Sequence, residues 1–397
     1  MRVAIIGGGL GGLATALLLR QAGIEAVVYE QAAELREVGA GIIVAPNMVR
    51  PLTRAGLGDR LADFAVRLEA AWELRRWQDG RVLFSQRMGA ECRRLYGVDC
   101  YVAHRADLLA MLVEALPPDA VRLNRRLTGL RQDEREVELT FAGGQEGAQE
   151  STVLADVVVG ADGIHSTVRP SIVTEAPPRF SGLCAYRCLV PADEAPELMV
   201  RPVQTIWLGP GRHFVHYPIS GGRLVNVVAI VPSEDWRLES WTADGRLEDL
   251  AREFETWDPV LGRLIGAAAG TKRWALYDRS PLERWTDGRI TLLGDAAHAM
   301  LPFLGQGACQ AIEDASVLAR CLEEATPRTA AAALLRYEEI RRPRASQVQL
   351  MSRGREVQNH LPDGPAQRER DAAFADGDPL TQNAWLYGHE VEADLVG

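Results

Sequence analysis

A glycine-rich turn between two short apolar runs is the feature that most restricts how this chain can fold. Val3–Ile6 is a β-branched run, Leu10–Ala22 is rich in alanine and leucine, and Ala26–Glu30 is a second apolar run that ends in an acid. A strand, a helix and a second strand within about thirty residues predict a βαβ unit with buried parallel strands. We therefore expect an α/β fold that opens with a Rossmann-like unit.

Gly7, Gly9 and Gly12 occupy this turn and satisfy the pattern GxGxxG. The first glycine permits a tight turn, the second lets a pyrophosphate approach the backbone, and the third lets the helix pack closely on the strand. The N–H groups at the helix start would bind the diphosphate, and Glu30 would accept hydrogen bonds from ribose hydroxyls. Glycines in such a run can also merely relieve steric crowding. The pattern predicts dinucleotide binding but does not choose between NAD and FAD.

Two later strand-like runs also end in an aspartate. Asp162 follows the run ADVVVGA, and Asp295 follows the run RITLLG. Because a doubly wound sheet binds its ligand beyond the carboxyl ends of its strands, we expect Glu30, Asp162 and Asp295 to meet at one edge. The ribityl chain of a flavin offers hydroxyls to Asp295, which favours FAD. The alternative is that each aspartate caps the helix after it.

The run GQGA at Gly305–Ala308 would expose backbone N–H groups at the start of a helix expected over Ala308–Leu322. A reduced flavin carries negative charge on its N1–C2=O edge, and a helix N-terminus stabilises such charge by about 0.3–1 kcal/mol. Pro302 would stiffen the loop and line the reaction side of the ring.

Composition excludes several classes of protein. The net charge of −10 argues against a general nucleic-acid binder. No apolar run reaches the roughly 18 residues of a membrane span, and six cysteines without CxxC spacing predict reduced thiols in a cytoplasmic protein. We expect no nucleic-acid partner and no stable membrane association, and a homodimer is compatible with the sequence.

The middle of the chain changes pattern. From about Pro177 to Leu276 the alternating runs LCAYRCLVP, TIWLG, HFVHYPI and RLVNVVAIV, with a turn at Gly221–Arg223, predict a largely antiparallel sheet. We expect a discontinuous FAD-binding domain over residues 1–70, 98–176 and 280–325, and a substrate domain over 71–97 and 177–279. Residues 326–397 would form C-terminal helices and a tail, with a helix over Ala330–Arg353 and a loose connection over 354–372.

Together these motifs resemble the single-component FAD-dependent aromatic hydroxylases, the class A flavoprotein monooxygenases of the p-hydroxybenzoate and salicylate hydroxylase type. The resemblance is carried, in the family's order, by GGGLGGL, YE at 29–30, VGAGI at 38–42, HRADL at 104–108, DVVVGADGIHSTVR at 156–169 and LLGDAAHAMLPFLGQGACQAIEDA at 292–315. It implies FAD as cofactor, NADH or NADPH and O2 as co-substrates, and hydroxylation of a small phenolic or related, carboxylated aromatic through a flavin C4a-hydroperoxide. RHFVHYPI at 212–219 and NAWLYGHE at 383–390 are most similar to salicylate, 3-hydroxybenzoate and 6-hydroxynicotinate hydroxylases.

The resemblance also implies cofactor contacts. Arg105 would contact FAD, Leu127 would contact it through the backbone, and Asp162 would lie near the pyrophosphates. Asp295 would bind the ribityl region, and Gly307 with Ala308 the ring. The full set of residues expected to bind FAD is Gly7, Gly9, Leu10, Gly12, Glu30, Gln31, Arg105, Leu127, Asp162, Asp295, Pro302, Gly305, Gln306, Gly307 and Ala308.

The run HFVHY is expected to be a strand with a catalytic face. His213, Val215 and Tyr217 would share that face, while Phe214 and His216 would point to the other. The two histidines therefore cannot share a metal, and no metal is expected. A histidine with a pKa near ~6.5 suits a base that withdraws a phenolic proton, and Tyr217 would orient the substrate oxygen. The alternative is that His213 is a hydrogen-bonded sheet residue and Tyr217 a core aromatic.

Three further residues are expected to shape the substrate pocket. Ile43 and Phe303 stand where related 6-hydroxynicotinate enzymes look richer in histidine, which favours a more apolar aromatic over a pyridine. Arg187 would pair with a substrate carboxylate through two hydrogen bonds, or merely lie on a strand. His298 would only pack its own loop.

Two other functions fit the same motifs. An FAD oxidase or dehydrogenase on this scaffold would release peroxide rather than a hydroxylated product. A non-catalytic flavin-bearing protein that binds a ligand would keep Gly7 and Asp295 but would need no base.

Overall fold

The computed structural model describes residues 1–35, 41–142, 150–174, 177–233, 243–376, 380, 383–391 and 393. The strands of this part of the chain form two large sheets and two small three-stranded sheets. No helix in it is both long and apolar enough to cross a bilayer.

The first large sheet carries the glycine-rich turn. Its strands, from edge to edge, are β19 (Thr286–Asp287), β20 (Ile290–Leu292), β12 (Val157–Gly160), β1 (Arg2–Ile6), β2 (Glu25–Tyr29) and β8 (Val121–Arg122). All neighbours pair parallel except β19 and β20. The register places Ile6 beside Tyr29 and Gly160, and Gly160 beside Leu292. The carboxyl ends of β2, β1, β12 and β20 therefore lie side by side, as the sequence predicted.

The second large sheet has eight strands. They are, in order, β17 (Asp244–Gly245), β18 (Thr271–Asp278), β13 (Arg179–Pro191), β16 (Leu224–Pro232), β15 (Arg212–Ile219), β14 (Val203–Gly209), β5 (Ala70–Arg76) and β6 (Val82–Arg87). Its pairs are antiparallel except for β14 with β5. A left-handed turn at Ser220, Gly221 and Gly222, with φ of 52°, 66° and 83°, joins β15 to β16. The expected largely antiparallel sheet is confirmed, with one parallel junction.

The remaining elements pack around these sheets. One small sheet contains β3 (Gly41–Val44), β7 (Tyr101–His104) and β4 (Val66–Arg67), and the other β11 (Ser151–Ala155), β10 (Val137–Phe141) and β9 (Leu127–Gln132). The helices are α1 (Leu10–Gln21), α2 (Pro46–Arg54), α3 (Gly58–Phe64), α4 (Gly89–Tyr96), α5 (Arg105–Glu114), α6 (Leu247–Glu253), α7 (Pro259–Gly266), α8 (Asp295–His298), α9 (Gly307–Glu323), α10 (Ala330–Asn359), α11 (Pro365–Asp376) and α12 (Ala384–Tyr387).

The two faces of the eight-stranded sheet have different partners. On one face Trp207 and Phe214 form an apolar core with Phe254 and Trp257, which follow α6. Trp274 and neighbouring residues on the other face pack in a separate, smaller cluster with Leu301 and Phe303 of the loop after α8. The second face is therefore turned toward the parallel sheet, and the space between them is the candidate site.

The expected loose connection over 354–372 is wrong. Helix α10 continues to Asn359, and α11 occupies most of the remainder. The Arg355 guanidinium lies 5.3 Å from the Trp72 ring centroid and 5.9 Å from that of Phe374. This tertiary packing outweighs the glycines and polar residues that suggested a loop, because local propensity is a weak determinant beside burial.

Candidate active site

A cavity of about 790 Å³ connects the carboxyl ends of the parallel strands with the second face of the eight-stranded sheet. All residues expected to contact cofactor or substrate line this cavity, with the exception of Gly12. The residues brought together are Gly7, Gly9, Leu10, Glu30, Gln31, Ile43, Arg105, Leu127, Asp162, Arg187, His213, Tyr217, Asp295, Pro302, Phe303, Gly305, Gln306, Gly307 and Ala308.

The three glycines of the first turn have three different surroundings. Gly7 has φ of 110°, and a Cβ there would lie 2.4 Å from the Ala161 carbonyl oxygen. A Cβ at Gly12 would lie 2.0 Å from the Gly7 carbonyl oxygen, so Gly12 lets α1 pack against the strand and does not face the cavity. A Cβ at Gly9 would meet nothing within 4 Å. The start of α1, which has no side-chain cap, is therefore open to a ligand.

The acids at the strand ends make hydrogen bonds within their own loops. The Glu30 carboxylate accepts from the backbone N–H groups of Gly8 at 2.7 Å and Ala32 at 2.8 Å. One oxygen of Asp162, Oδ2, accepts from the backbone N–H of Thr167 at 2.6 Å and from its hydroxyl at 2.9 Å. The other oxygen, Oδ1, is buried and has no partner in the described part of the chain. Asp162 thus stabilises its own loop through Oδ2, a role similar to the capping alternative. Its Oδ1 remains available to a ligand.

Asp295 and the loop after it form the opposite wall. Asp295 is the first residue of α8 and follows β20. Its Oδ1 lies 3.9 Å from the position that a Cβ on Gly307 would take, so the carboxylate and the start of α9 are neighbours. Helix α9 has Gln306 at its N-cap and no side-chain hydrogen bond there. Its first N–H groups are therefore available at the cavity.

Neighbouring side chains explain why this loop has a glycine at 305 and a glutamine at 306. Gly305 has φ of 63°, and a Cβ there would lie 2.7 Å from Ile43 Cδ1. The Gln306 side chain is buried, and its Oε1 accepts a hydrogen bond from Asn47 Nδ2 at 2.9 Å. The loop is held from beneath by Asn47, which also donates to Glu313 at 2.6 Å.

A buried ionic cluster lies under this loop. Arg341 donates to Glu313 at 2.6 Å and to Asp314 at 2.8 Å, and His298 Nε2 lies 2.5 Å from Asp314 Oδ2. Burial would raise the pKa of Glu313 and Asp314, but the cations around them outweigh it and lower each pKa to about 2. His298 is fully buried in this pair, so it packs its loop, as expected from the sequence.

The substrate end of the cavity is built on β15. His213, Val215 and Tyr217 line the cavity, whereas Phe214 belongs to the core behind the sheet. Burial lowers the pKa of His216, also on the far side, to about 3. The predicted alternation is confirmed, and the two histidines of HxxH point apart. Burial also raises the pKa of Tyr217 well above its usual range, so its hydroxyl stays protonated.

The pKa of His213 departs from that of an ordinary histidine. Burial lowers it well below 6.5, and the neighbouring His360 lowers it further. His213 Nδ1 lies 2.6 Å from His360 Nε2. No sequence pattern pointed to His360, because it lies within residues 354–372, which were expected to be a loose connection.

Aromatic and cationic groups complete the pocket. The Arg187 guanidinium lies 4.4 Å from the Trp274 ring centroid, and the Phe303 ring lies 5.5 Å from that of His213. Gln204 and Trp72 also line the cavity and were not anticipated. Gln204 is buried, and its Oε1 has no hydrogen-bond partner among the residues that the structure describes.

Two of the motifs that carry the family resemblance have different outcomes. NAWLYGHE forms α12 and the residues after it, where Arg50 donates to the Tyr387 carbonyl at 2.6 Å and Arg344 to the Leu386 carbonyl at 3.0 Å. In VGAGI, residues 38–40 lie outside the described residues, and only Gly41 and Ile42 are placed, in β3.

Known proteins are similar to this chain along nearly its whole length. Residues 1–352 match the family described as FAD binding domain. A 3-amino-4-hydroxybenzoate 2-monooxygenase of Streptomyces platensis is 47% identical over 98% of this chain and 96% of its own length. A 6-hydroxynicotinate 3-monooxygenase of Pseudomonas fluorescens is 36% identical over 88% and 90%. The structure of Klebsiella pneumoniae HpxO complexed with FAD and uric acid superposes with a TM-score of 0.84 at 28% identity, covering 100% of this chain and 97% of that one.

Proposed function

The chain belongs to the FAD binding domain family of aromatic hydroxylases, and from that premise we propose that it hydroxylates an aminohydroxybenzoate such as 3-amino-4-hydroxybenzoate. It is an FAD-dependent monooxygenase that uses NAD(P)H and O2 and acts on a small aromatic compound. The proposal concerns its substrate and the roles of its residues.

One observation carries the proposal: a single cavity joins a dinucleotide-type turn, two uncapped helix starts and a face that bears Arg187, His213 and Tyr217. At about 790 Å³ it lies within the usual range for cofactor and substrate sites. Two features are ones that a bound diphosphate cofactor would use: the open space at Gly9, where a side chain would intrude, and Asp162 Oδ1, which has no partner among the described residues.

The residues present suit FAD. The start of α1 at Gly9 would bind the diphosphate, Glu30 the ribose and Asp295 the ribityl hydroxyls. The N–H groups of Gly307 and Ala308 would contact the electron-rich edge of the ring, where a helix start favours negative charge. When bound, the flavin supplies reduction by NAD(P)H and activation of O2, from which one oxygen atom enters the aromatic ring.

His213 would accept a proton from the substituent that activates the substrate ring. In 3-amino-4-hydroxybenzoate, C2 is ortho to the amino group and meta to the hydroxyl, so the amino nitrogen is the electron donor toward that carbon. Because His213 Nδ1 is occupied by His360, Nε2 is the nitrogen left for the substrate. A hydrogen bond from the substrate N–H, or O–H in a simple phenol, to Nε2 increases electron donation into the ring.

The rest of the pocket would select a carboxylated, mostly apolar ring. Arg187 would bind the carboxylate. Tyr217, which stays protonated, would donate a hydrogen bond to an oxygen substituent of the ring. Gln204 supplies a buried amide to a second polar substituent. Ile43 and Phe303 are both buried and apolar, which favours a benzene over a pyridine ring.

The same proposal covers the organisation and setting of the chain. We propose that residues 1–70, 98–176 and 280–325 form the FAD-binding part and 71–97 and 177–279 the substrate part, which the placement of β5 and β6 in the eight-stranded sheet supports. Six free cysteines, five of them buried, support a reducing, cytoplasmic setting. A homodimer is the proposed assembly, and light scattering of the purified protein tests it.

The deciding experiment is turnover by the FAD-loaded enzyme with NADH or NADPH and air. We expect 3-amino-4-hydroxybenzoate to stimulate NAD(P)H oxidation and to gain one oxygen atom, and salicylate, 3-hydroxybenzoate and 6-hydroxynicotinate to do so less well. Stronger hydroxylation of 6-hydroxynicotinate would refute the substrate assignment. Release of peroxide without any hydroxylated product would indicate an oxidase instead.

A further inference from the structure

We propose that His360 is the second member of a proton relay that carries a proton from the bound aromatic ring, through His213, to solvent. The proposal rests on the proposed function, because it gives a path to the proton that His213 receives. His360 is a positioning and proton-carrying residue that does not itself touch the substrate.

The geometry joins the two rings directly. His213 Nδ1 and His360 Nε2 are 2.6 Å apart, and the ring centroids are 4.9 Å apart. In such a pair one imidazole donates and the other accepts, and a shift of the shared proton exchanges these roles. His213 is 4% exposed and lines the cavity, whereas His360 is only partly buried. The pair therefore leads from the cavity toward the surface.

The residues around the two imidazoles keep them in place. The Phe303 ring packs edge-on against both imidazoles, at centroid distances of 5.5 Å and 5.9 Å. Asn359, which precedes His360, is buried and lines the cavity. The end of α10 is fixed in place by a hydrogen bond from the Gly211 N–H to the His360 carbonyl at 3.0 Å. Phe303 and the fixed end of α10 thus hold His360 against His213.

Burial makes such a route necessary. It lowers the pKa of His213 well below 6.5 and the pKa of His360 to about 4. Among the residues that the structure describes, His360 is the only other titratable group that lowers the pKa of His213. Burial alone accounts for the lowered pKa of His360. Both rings are therefore neutral near pH 7, and a proton accepted by His213 is not retained as an imidazolium.

The proposed transfer keeps both rings neutral. The N–H or O–H bond of the substrate breaks, its electron pair stays on the substrate, and a bond forms from the proton to His213 Nε2. The proton on His213 Nδ1 moves to His360 Nε2, and the proton on His360 Nδ1 moves to water. One proton leaves the substrate and one reaches solvent, and both histidines end as the opposite tautomer. The pair is reset when solvent gives a proton to His360 Nδ1, the shared proton returns to His213 Nδ1, and the proton on His213 Nε2 passes to the product anion or to water in the cavity.

Three variants of the FAD-loaded enzyme test the relay. His360→Gln can still hydrogen-bond His213 but cannot pass a proton, and His360→Ala opens a space for added imidazole. Val357→Ala, at a residue that is 66% exposed on the same helix, is the matched control. The measurements are the single-turnover rate of hydroxylation of 3-amino-4-hydroxybenzoate between pH 6 and 9, its dissociation constant, and the rate in D2O.

We expect His360→Gln and His360→Ala to slow hydroxylation by at least about 10-fold, within the range for loss of proton transfer, with the dissociation constant changed less than about 3-fold. Imidazole should restore the rate of His360→Ala in proportion to its unprotonated fraction, and Val357→Ala should match wild type. A wild-type rate in His360→Gln would show that His360 only orients His213 and would overturn the relay. A wild-type rate in His360→Ala would overturn it too.

Failure of the proposed substrate is recognised separately. If wild type hydroxylates salicylate, 3-hydroxybenzoate or 6-hydroxynicotinate but not 3-amino-4-hydroxybenzoate, the substrate assignment is wrong. The same variants are then compared on the aromatic acid that wild type does hydroxylate. The rates of the His360 variants on that substrate then decide whether the relay exists.

Discussion

The indole N–H of Trp72 donates to the hydroxyl of Tyr387 at 2.9 Å, which joins the wall of the cavity to the last described helix of the chain. Trp72 has φ of 51°, a conformation that a bulky residue rarely adopts and that costs about 1–3 kcal/mol. The bond to Tyr387 helps to hold it there. The C-terminal residues therefore contribute to the shape of the substrate site although none of 384–391 lines it.

Tyr387→Phe should weaken both stability and substrate binding. It leaves the buried Trp72 N–H without its acceptor, which costs about 1–3 kcal/mol. Urea unfolding and the dissociation constant of the aromatic substrate measure the two effects. In a Trp72→Phe background the same change should cost little. An equal cost in both backgrounds would contradict the role given to this hydrogen bond.

Asp295→Ala should release FAD. If Asp295 binds the ribityl hydroxyls through charge-assisted hydrogen bonds, its loss costs about 1.5–3 kcal/mol, or roughly 10- to 150-fold in affinity. The flavin absorbance of the purified protein and a titration with FAD measure it. Asp287→Ala, on β19 of the same sheet, is the control and should stay yellow. A fully loaded Asp295→Ala protein would refute the assignment.

His213→Ala should slow hydroxylation more than it weakens flavin binding. Loss of a positioned acid–base group lowers the rate by about 10²- to 10⁴-fold, whereas His213 is not among the residues expected to bind FAD. Single-turnover rates and flavin content are the two measurements. An equal loss of both would indicate that His213 is only a structural residue of the sheet.

Gly305→Ala should impair FAD binding or the correct placement of the ring. Its Cβ would be 2.7 Å from Ile43 Cδ1 at a residue with φ of 63°, and we expect a cost of about 1–3 kcal/mol. Gly262→Ala is the control, because Gly262 lies inside α7 and a Cβ there meets nothing within 4 Å. That variant should gain stability. FAD affinity compared between the two variants decides the point.

Acid should unfold the protein as the buried cluster beneath the loop is protonated. The folded-state pKa values of Glu313 and Asp314, about 2, lie below their ordinary values of 4.5 and 3.8. Their stabilisation is therefore complete above about pH 4.5 and is lost as the pH falls toward 2. Arg341→Met should cost about 3–5 kcal/mol at pH 7, because it leaves buried carboxylates with less compensation. Urea unfolding between pH 2 and 7 tests both statements.

The sequence predicted the parts of the site that depend on local pattern. Gly7, Gly9 and Gly12 occur at fixed offsets between a strand and a helix, and alternation along β15 placed His213 and Tyr217 on one face. These features depend on only a few adjacent residues. The convergence of the strand ends follows from the parallel sheet that the same patterns indicate.

Long-range contacts could not be predicted in this way. His213 and His360 are 147 residues apart, and nothing near His360 indicates that α10 continues that far. The lowered pKa of His213 arises from burial that only the folded chain creates. The parallel pairing of β14 with β5 could not be predicted either, because the sequence of one strand does not indicate which strand pairs with it.

The placement of β5 and β6 limits how this chain can be divided. The sheet that presents His213 takes its last two strands from residues 70–87 and the rest from 179–278, while the parallel sheet uses residues on both sides of each block. No single cut separates the two sheets into different pieces, because strands of each lie between strands of the other along the chain. Transplanting the aromatic pocket onto another flavoprotein would therefore require two insertions made at once, and pocket and cofactor cradle are expected to be inherited as one unit.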